Sequence, residues 1–363
     1  MKKKVLSLLL SVGMVAGLLA GCGDLGSGEA PTADDVKTEE PAVNIETTSK
    51  DAEVIIRISN GSAATAPFCV AQDTVFKPEI EEASDGKIAV EVYYSNQLGN
   101  DTTSTEALRS GDLEMNNTST APLVGLVPEL AVFDIPFLFS SYEQADYVID
   151  NGLGEYLSNK IADKGIYVIA WNENGFRNLT TVEGKEVHTP DDLKGLKIRT
   201  MENQYHMSAW SAMGASPTPI NGSEIYTSLQ SGVVDGQENP IPNFYAQQIH
   251  EVSPCITLTE HIYSPMLLCY SKTLFDKLTE EQQKIVRDAG ANYTIAEREE
   301  NRRQSDDLQA QLDADEKYTV IVLSEEEKQP FKDLTTGLWD EVGKAAGDEV
   351  MTMLNDLLAE STK

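Results

Sequence analysis

The sequence predicts an α/β protein of two lobes. Strand and helix signals alternate along most of the chain, as they do where helices cover a largely parallel sheet. About 310 residues follow a polar N-terminal tract, large for one core and comfortable for two. Residues 279–314 lack proline and are rich in Glu, Gln, Arg and Ala, which predicts one long helix with a kink near Gly290, two successive helices being the alternative. No internal repeat is visible.

The elements follow in order. Lys2, Lys3 and Lys4 precede an apolar run, Val5 to Ala20, that is short for a membrane span and reads as a signal peptide over 1–21. Leu19-Ala20-Gly21-Cys22 matches a lipobox, in which cleavage leaves Cys22 as a lipid-bearing N-terminus. An ordinary secretory signal that happens to hold a cysteine is the alternative. Residues 22–52 are rich in Gly, Pro, Thr, Asp and Glu, so they bury too little to offset ordering entropy and read as a flexible tether. Val54 to Ile58 is a strand, with Ser59-Asn60-Gly61 as the following loop. A helix over about 67–83 leads to Gly86, and Ile88 to Tyr93 is a second strand.

The stretch Thr189–Asn239 carries the most information. Thr189 caps a short helix that Pro190, Asp191 and Asp192 begin. Leu196 to Thr200 alternates apolar and polar and reads as a strand holding Arg199. Ser223 is placed to cap a helix over Glu224–Gln230, and Gly232 to end it. Val233-Val234 reads as a short strand and Asp235-Gly236 as a turn. Arg199 and Asn239 set one guanidinium and one amide on rigid elements. That pairing suits a carboxylate, whose two oxygens match the guanidinium fork.

This block resembles the solute-binding proteins of tripartite ATP-independent periplasmic (TRAP) transporters, the DctP type. Those carry K-I/L-R, G-A-x-P-T-P, S-E-x-Y-x-x-L-Q and V-D-G-Q-E-N-P after a capped turn, and all five pieces stand here in that order. Gln97-Leu98-Gly99, Leu108 to Leu113, Asp134 to Phe137, Gly175 to Thr180, His250 to Val252 and Thr259 to His261 add to it. The resemblance covers roughly residues 53–350. It implies a two-lobed periplasmic-binding-protein-like fold with hinge-spanning strands and a long helix across both lobes. The implied lobes are 53–174 plus 265–304, and 175–264 plus 305–363.

The resemblance also implies site residues. Arg199 stands in the motif whose arginine holds the ligand carboxylate. Arg177, in Gly175-Phe176-Arg177, matches a second ligand-facing arginine; a structural ion pair is the other reading. Asn239 matches a pocket amide and also suits a turn before Pro240. Asn60 follows the first strand, where the family places a polar contact. Asp101 and Ser119 fall where side chains vary with ligand, although Asp101 also reads as a helix cap and Ser119 as a strand exit. Asn203 reads as a contact or a cap. Asn221-Gly222 departs from the family, where an aromatic side chain precedes the Ser-Glu pair. The added room favours a hydroxylated acid, such as a sugar acid, over a compact dicarboxylate.

Composition excludes other classes. The net charge is −31, and removing residues 1–21 takes away three lysines and no acids, giving −34. Such a surface repels nucleic acid and anionic lipid. Cys69, Cys255 and Cys269 form no Cys-x-x-Cys pair and read as buried thiols, with a Cys255–Cys269 bridge as the alternative. The scattered histidines make no metal motif, and no nucleophile motif is present. Together with these readings, the resemblance implies a monomeric extracytoplasmic receptor without cofactor, lipid-anchored to the outer face of the cell membrane or else periplasmic. It takes a small organic acid (dicarboxylate, hydroxy acid or sugar acid) to TRAP membrane subunits. A ligand-sensing partner of a membrane receptor, or a secreted carboxylate-dependent enzyme, are the alternatives.

Overall fold

The computed structural model describes residues 52–362; the signal segment, Cys22 and the tether up to Asp51 lie outside the described residues. Among the described residues nine strands form one sheet: β1 Val54–Asn60, β2 Ile88–Tyr93, β3 Met115–Ser119, β4 Ile166–Thr181, β5 Lys197–Thr200, β6 Ser216–Pro219, β7 Gly236–Asn239, β8 Cys255–Ser271 and β9 Thr319–Val322. Their order is β2-β1-β3-β8-β4-β7-β5-β6, with β9 beside β8.

The sheet is parallel at its two ends and antiparallel in the middle. β1 pairs in parallel with β2 and β3, and β5 in parallel with β6 and β7. Two long strands, β4 and β8, pair antiparallel with each other from Ile166↔Ser271 to Thr181↔Cys255. Each serves both ends. β8 pairs with β3 through residues 266–270 and with β9 through 255–258, while β4 reaches β7 through 178–181. Register breaks between Glu173 and Gly175, and again between Arg177 and Leu179, interrupt the β4–β8 ladder near its centre. Bulges of this kind bend a strand and re-aim its side chains. Gly175 sits there at φ +104°, and a Cβ would lie 3.2 Å from Asn301 Nδ2.

The long helix is one element, Glu280–Ala314, opened by a capping box between Thr279 and Gln282. It runs through Gly290 without a break. Gly290 is required by contact: a Cβ would lie 2.6 Å from Ile169 Cγ2 and 2.9 Å from Ile169 O on β4. Arg302 ties the helix to Asp146 and Glu173 at 2.8 and 2.9 Å, and Arg298 ties it to Asp150.

Apolar burial follows the sheet. Ile56, Ile58, Val90 and Leu268 pack on one side with Phe76, Val286 and Tyr293. Leu179, Ile198, Trp210 and Phe331 form a second cluster, and Ile225, Phe244, Ile256 and Leu312 a third. The largest cluster joins residues 123–166 to the C-terminus through Val342, Val350 and Leu354. The sequence reading placed all of 305–363 in the second lobe. Instead, helices Gly337–Ala346 and Asp348–Ser361 pack mainly on 128–153, because Val342, Ala346, Val350 and Leu354 bury their apolar faces in the cluster of that segment.

Several local expectations shift. Val233-Val234 is loop, and the strand begins at Gly236, where any Cβ would lie 2.6 Å from Thr180 O. Ser223 caps nothing: Gly222–Glu224 forms a 3-10 turn and the helix is Ile225–Gln230. The helix over 67–83 widens at Gln72–Phe76 into π geometry. Asn116 to Ser119 is a fully buried strand, and Asn60 belongs to β1. Cys69, Cys255 and Cys269 are buried free thiols.

Candidate functional site

The carboxyl ends of β1, β3, β5 and β7 meet around a cleft, the place where open α/β sheets hold ligands. The cleft encloses about 590 Å³, its open mouth included. Its wall is polar. Ser62, Ser119, Gln247 and seven asparagines contribute to it, with Phe68, Met201, Ile225 and Met266 between them. One guanidinium, Arg199, and one carboxyl, Asp101, are the charged groups of the wall.

Arg199 is placed by β5, whose residue 199 pairs with Gln237 on one side and Thr218 on the other. Its side chain is 4% exposed. Nε donates to Ile220 O at 2.7 Å, which fixes the guanidinium plane. Among the described residues no carboxylate lies within ion-pair distance of it. Burial pushes its pKa down to about 10, with the Glu238 charge opposing that shift and the Arg177 charge adding to it. The group is still a cation at neutral pH, with its terminal nitrogens toward the cleft.

Arg177 lies behind this wall. Its side chain and that of Glu238 have no exposure. Nη2 donates to Glu238 Oε1 at 2.8 Å and to Glu238 O at 2.6 Å, and Nε is also bonded to the Glu238 carboxylate. His261 Nε2 lies 3.2 Å from Glu238 Oε2, and His206 Nδ1 lies 4.0 Å from Oε1. Burial alone would raise the Glu238 carboxyl. The Arg177 charge and the two imidazoles more than offset it and hold Glu238 well below the usual carboxylate range. Arg177 therefore adopts the ion pair that was the second of its two readings and does not line the cleft.

The remaining expected residues divide. Asn239, at the end of β7, lines the cleft and donates to Gln237 Oε1 at 2.7 Å. Ser119 and Asp101 line it too. Asp101 is not the cap of its helix: Asn100 is, accepting from Thr103 N at 2.9 Å and leaving Asp101 in the first turn. Burial raises the Asp101 carboxyl, against the Thr118 hydroxyl and the Arg199 charge. Asn60 is turned away, its amide paired with that of Gln72 at 2.9 and 3.1 Å. Asn203 is a cap, accepting from Tyr205 N and His206 N while donating to Ala121 O and Asp134.

Sequence reading missed most of the amides. Asn117 lines the cleft at 2% exposure, and neither atom of its amide has a partner. Asn100 donates across the mouth to Asn221 Oδ1 at 3.1 Å, and Ser62 to Asn243 Oδ1 at 3.0 Å. Asn243 also donates to Asn174 at the β4 bulge, 3.1 Å away. The one available signal was the density of asparagine after strand ends. Among the described residues no group of His, Cys, Asp and Glu is arranged to hold a metal, and no helix is long and apolar enough to cross a membrane.

Comparison with known proteins agrees with this geometry. The model of the family described as bacterial extracellular solute-binding protein, family 7 (DctP), matches residues 61–345. A solute-binding protein of Verminephrobacter eiseniae is 40% identical over 238 residues, 66% of this chain and 70% of the relative. The sugar acid binding protein DctPAm of Advenella mimigardefordensis, solved in complex with galactonate, superposes with a TM-score of 0.81 at 32% identity. That match covers 85% of this chain and 98% of the other. A TRAP periplasmic solute binding protein of Sulfurospirillum deleyianum, with bound succinate, gives 0.80 at 28% identity over 84% and 99%.

Proposed function

The chain belongs to family 7 of the bacterial extracellular solute-binding proteins, and on that premise we propose how it holds its ligand: Arg199 takes the carboxylate, and Asn239, Ser119 and Asp101 contact the rest. The chain is a TRAP-transporter receptor that carries a small organic acid to the membrane subunits. The observation that supports Arg199 most is its state: a nearly buried guanidinium with one backbone acceptor and no carboxylate partner among the described residues. A buried cation of this kind is satisfied when an anion enters. Arg177, paired with Glu238, and Asn203, a helix cap, support the wall rather than touch the ligand. The bound acid leaves unchanged, as in a transport receptor of this family. Lobe crossings near 174, 264 and 304 let the cleft close about the bulge in β4.

Thermal melting tests this reading. Ligand at a hundredfold over Kd adds about 2.7 kcal/mol to the native state. That corresponds to a rise of several degrees in Tm, at roughly 2–4 °C per kcal/mol. The refolded protein should respond to at least one member of a panel of C4 acids, hydroxy acids and sugar acids. A panel without any response removes the site.

The lipobox supports a lipid anchor on Cys22 for this extracytoplasmic protein. Two acyl chains suffice for stable anchoring. Cys22→Ser should move the protein from the membrane fraction to the soluble one; a variant that fractionates like wild type removes the anchor.

A further inference from the structure

Two pairs of uncharged side chains bridge the mouth of the cleft through protein groups alone. Asn100 caps the helix Asp101–Ser110, which joins β2 to β3 at one end of the sheet, and Asn221 follows β6 at the other end. Asn100 Nδ2 donates to Asn221 Oδ1 at 3.1 Å. Ser62 stands just past β1, and Asn243 lies in the helix Ile241–Ala246 just past β7. Ser62 Oγ donates to Asn243 Oδ1 at 3.0 Å. Each pair therefore ties the end built from β1, β2 and β3 to the end built from β5, β6 and β7.

Asn243 makes a further bond. Its Nδ2 donates to Asn174 Oδ1 at 3.1 Å. Asn174 is the extra residue of the β4 bulge: Glu173 stands opposite Pro265 and Gly175 opposite Ser264, which leaves residue 174 without a partner on β8. One amide thus holds both the mouth and the bulge. The two ends of the sheet are also joined behind the cleft, where Asp134 bonds to Asn203 and His206 in full burial. The mouth bonds are only partly buried, so water replaces them when the ends part. Each then counts for the net worth of a neutral hydrogen bond, and no group of the ligand takes part in it.

Resting on the reading that the cleft closes about the β4 bulge, we propose that Asn100–Asn221 and Ser62–Asn243 form a latch that holds the cleft closed, with Asn243 as the positioning residue that links the latch to the bulge. Losing one such bond raises the ratio of open to closed protein by roughly two- to tenfold. The ligand's own contacts add to this closure and are not needed for it. The latch therefore slows the release of every acid the cleft holds by one common factor.

Distances between two spin labels test this on protein to which no ligand is added. Glu106→Cys and Gln230→Cys place the labels on exposed positions of the helices that flank the mouth, one at each end of the sheet. Cys69, Cys255 and Cys269 are buried, and the refolded Cys22→Ser chain carries no other thiol. Without substitution in the latch, a short distance should be measurably populated. Asn100→Ser keeps a capping oxygen but cannot reach Asn221, and Ser62→Ala removes the other donor. Together they should raise the long-to-short ratio at least threefold, a change in distance that a merely structural role does not produce. Asn243→Ala should raise it at least as far as Ser62→Ala does, and a smaller effect removes Asn243 from its place in the latch. A ratio that changes less than threefold in the double variant, or a short distance that is absent before any latch substitution, overturns the inference. If succinate, galactonate or glucuronate still shortens the distance in that protein, the receptor reading stands without the latch. A distance that responds neither to these acids nor to the substitutions overturns both the latch and closure about the bulge.

Discussion

Arg177 on β4 and Glu238 on β7 form an ion pair in which neither side chain is exposed. The pairing follows from register. Leu179 stands opposite Glu238 and Asn178 opposite Asn239, so residue 177 lies just past the end of the β4–β7 ladder and its guanidinium folds back on the Glu238 carboxylate. Arg199, one strand further along, has no such partner. Two arginines with similar sequence contexts thus acquire different tasks. One closes a charge inside the protein, and the other leaves a positive site open.

Arg199→Ala should weaken ligand binding by about 2–5 kcal/mol, because the ligand carboxylate then stays buried without a partner. At about 1.4 kcal/mol per decade that is roughly 30-fold to several-thousandfold in Kd. Arg199→Lys should restore part of this, since an ammonium cannot form the fork. The Tm of the ligand-free protein should hardly fall, because Arg199 has a single bond inside the protein. Calorimetry giving a Kd within threefold of wild type would remove Arg199 from the site.

Glu238→Gln should act on folding first. Removing one member of a buried pair leaves the other uncompensated and costs about 3–5 kcal/mol. The pH dependence has a definite sign. Glu238 is held well below its ordinary carboxylate range in the folded protein, whereas an unfolded glutamate titrates near about 4.3. Its stabilisation is therefore complete above that value and is lost as pH falls through the folded pKa. Denaturant melts should show a large gap between wild type and variant at pH 7 that narrows below about pH 4. A gap independent of pH contradicts the assignment.

Gly290→Ala should destabilise, although alanine is the better helix former by about 0.8–1.0 kcal/mol. The added methyl would lie 2.9 Å from the Ile169 carbonyl oxygen, which is backbone and cannot rotate away. Overpacking of this kind costs about 1–3 kcal/mol. A Tm equal to or above that of wild type would show that the helix and β4 can separate at no cost.

The parts of this protein legible in sequence are those set by local chemistry. The helix Glu280–Ala314 is announced by its composition and lack of proline, and β5 by its alternation. Arg199 is legible because an ordered set of motifs surrounds it. The fate of Arg177 is not, because it depends on a register between strands some 60 residues apart, and its motif favoured the ligand-facing reading over the ion pair that forms. Val233-Val234 looks like a strand because it is β-branched. The strand starts instead at Gly236, where only glycine fits against β4. The cleft amides were hidden for a different reason. Asn100, Asn117 and Asn243 gain meaning only when segments far apart in sequence face one cavity, and asparagine after a strand reads as a turn until then.

Glu297→Gln should raise stability at neutral pH and not at acid pH. Glu297 lies on the long helix, fully buried, with Oε2 accepting the Glu173 N–H at 2.7 Å and Oε1 without a partner. Burial raises its carboxyl well above the ordinary value, and the Glu173 charge adds to that. The Glu173 N–H and the charges of Arg298 and Arg302 only partly oppose it. An unfolded glutamate releases its proton near about pH 4.3, so above that pH the unfolded chain gains relative to the folded one, by about 1.36 kcal/mol per pH unit until the folded pKa is reached. Glutamine has no proton to release and keeps an oxygen for the Glu173 N–H. The variant should therefore match wild type or fall slightly below it at pH 4, where both side chains are neutral and glutamine leaves one more N–H unmatched. It should pass wild type as pH rises toward 8. Thermal melts of both proteins across that range read the crossing directly. A difference in Tm that stays constant from pH 4 to pH 8 means that Glu297 titrates alike in the folded and unfolded chains, and the buried protonated carboxyl is then not there.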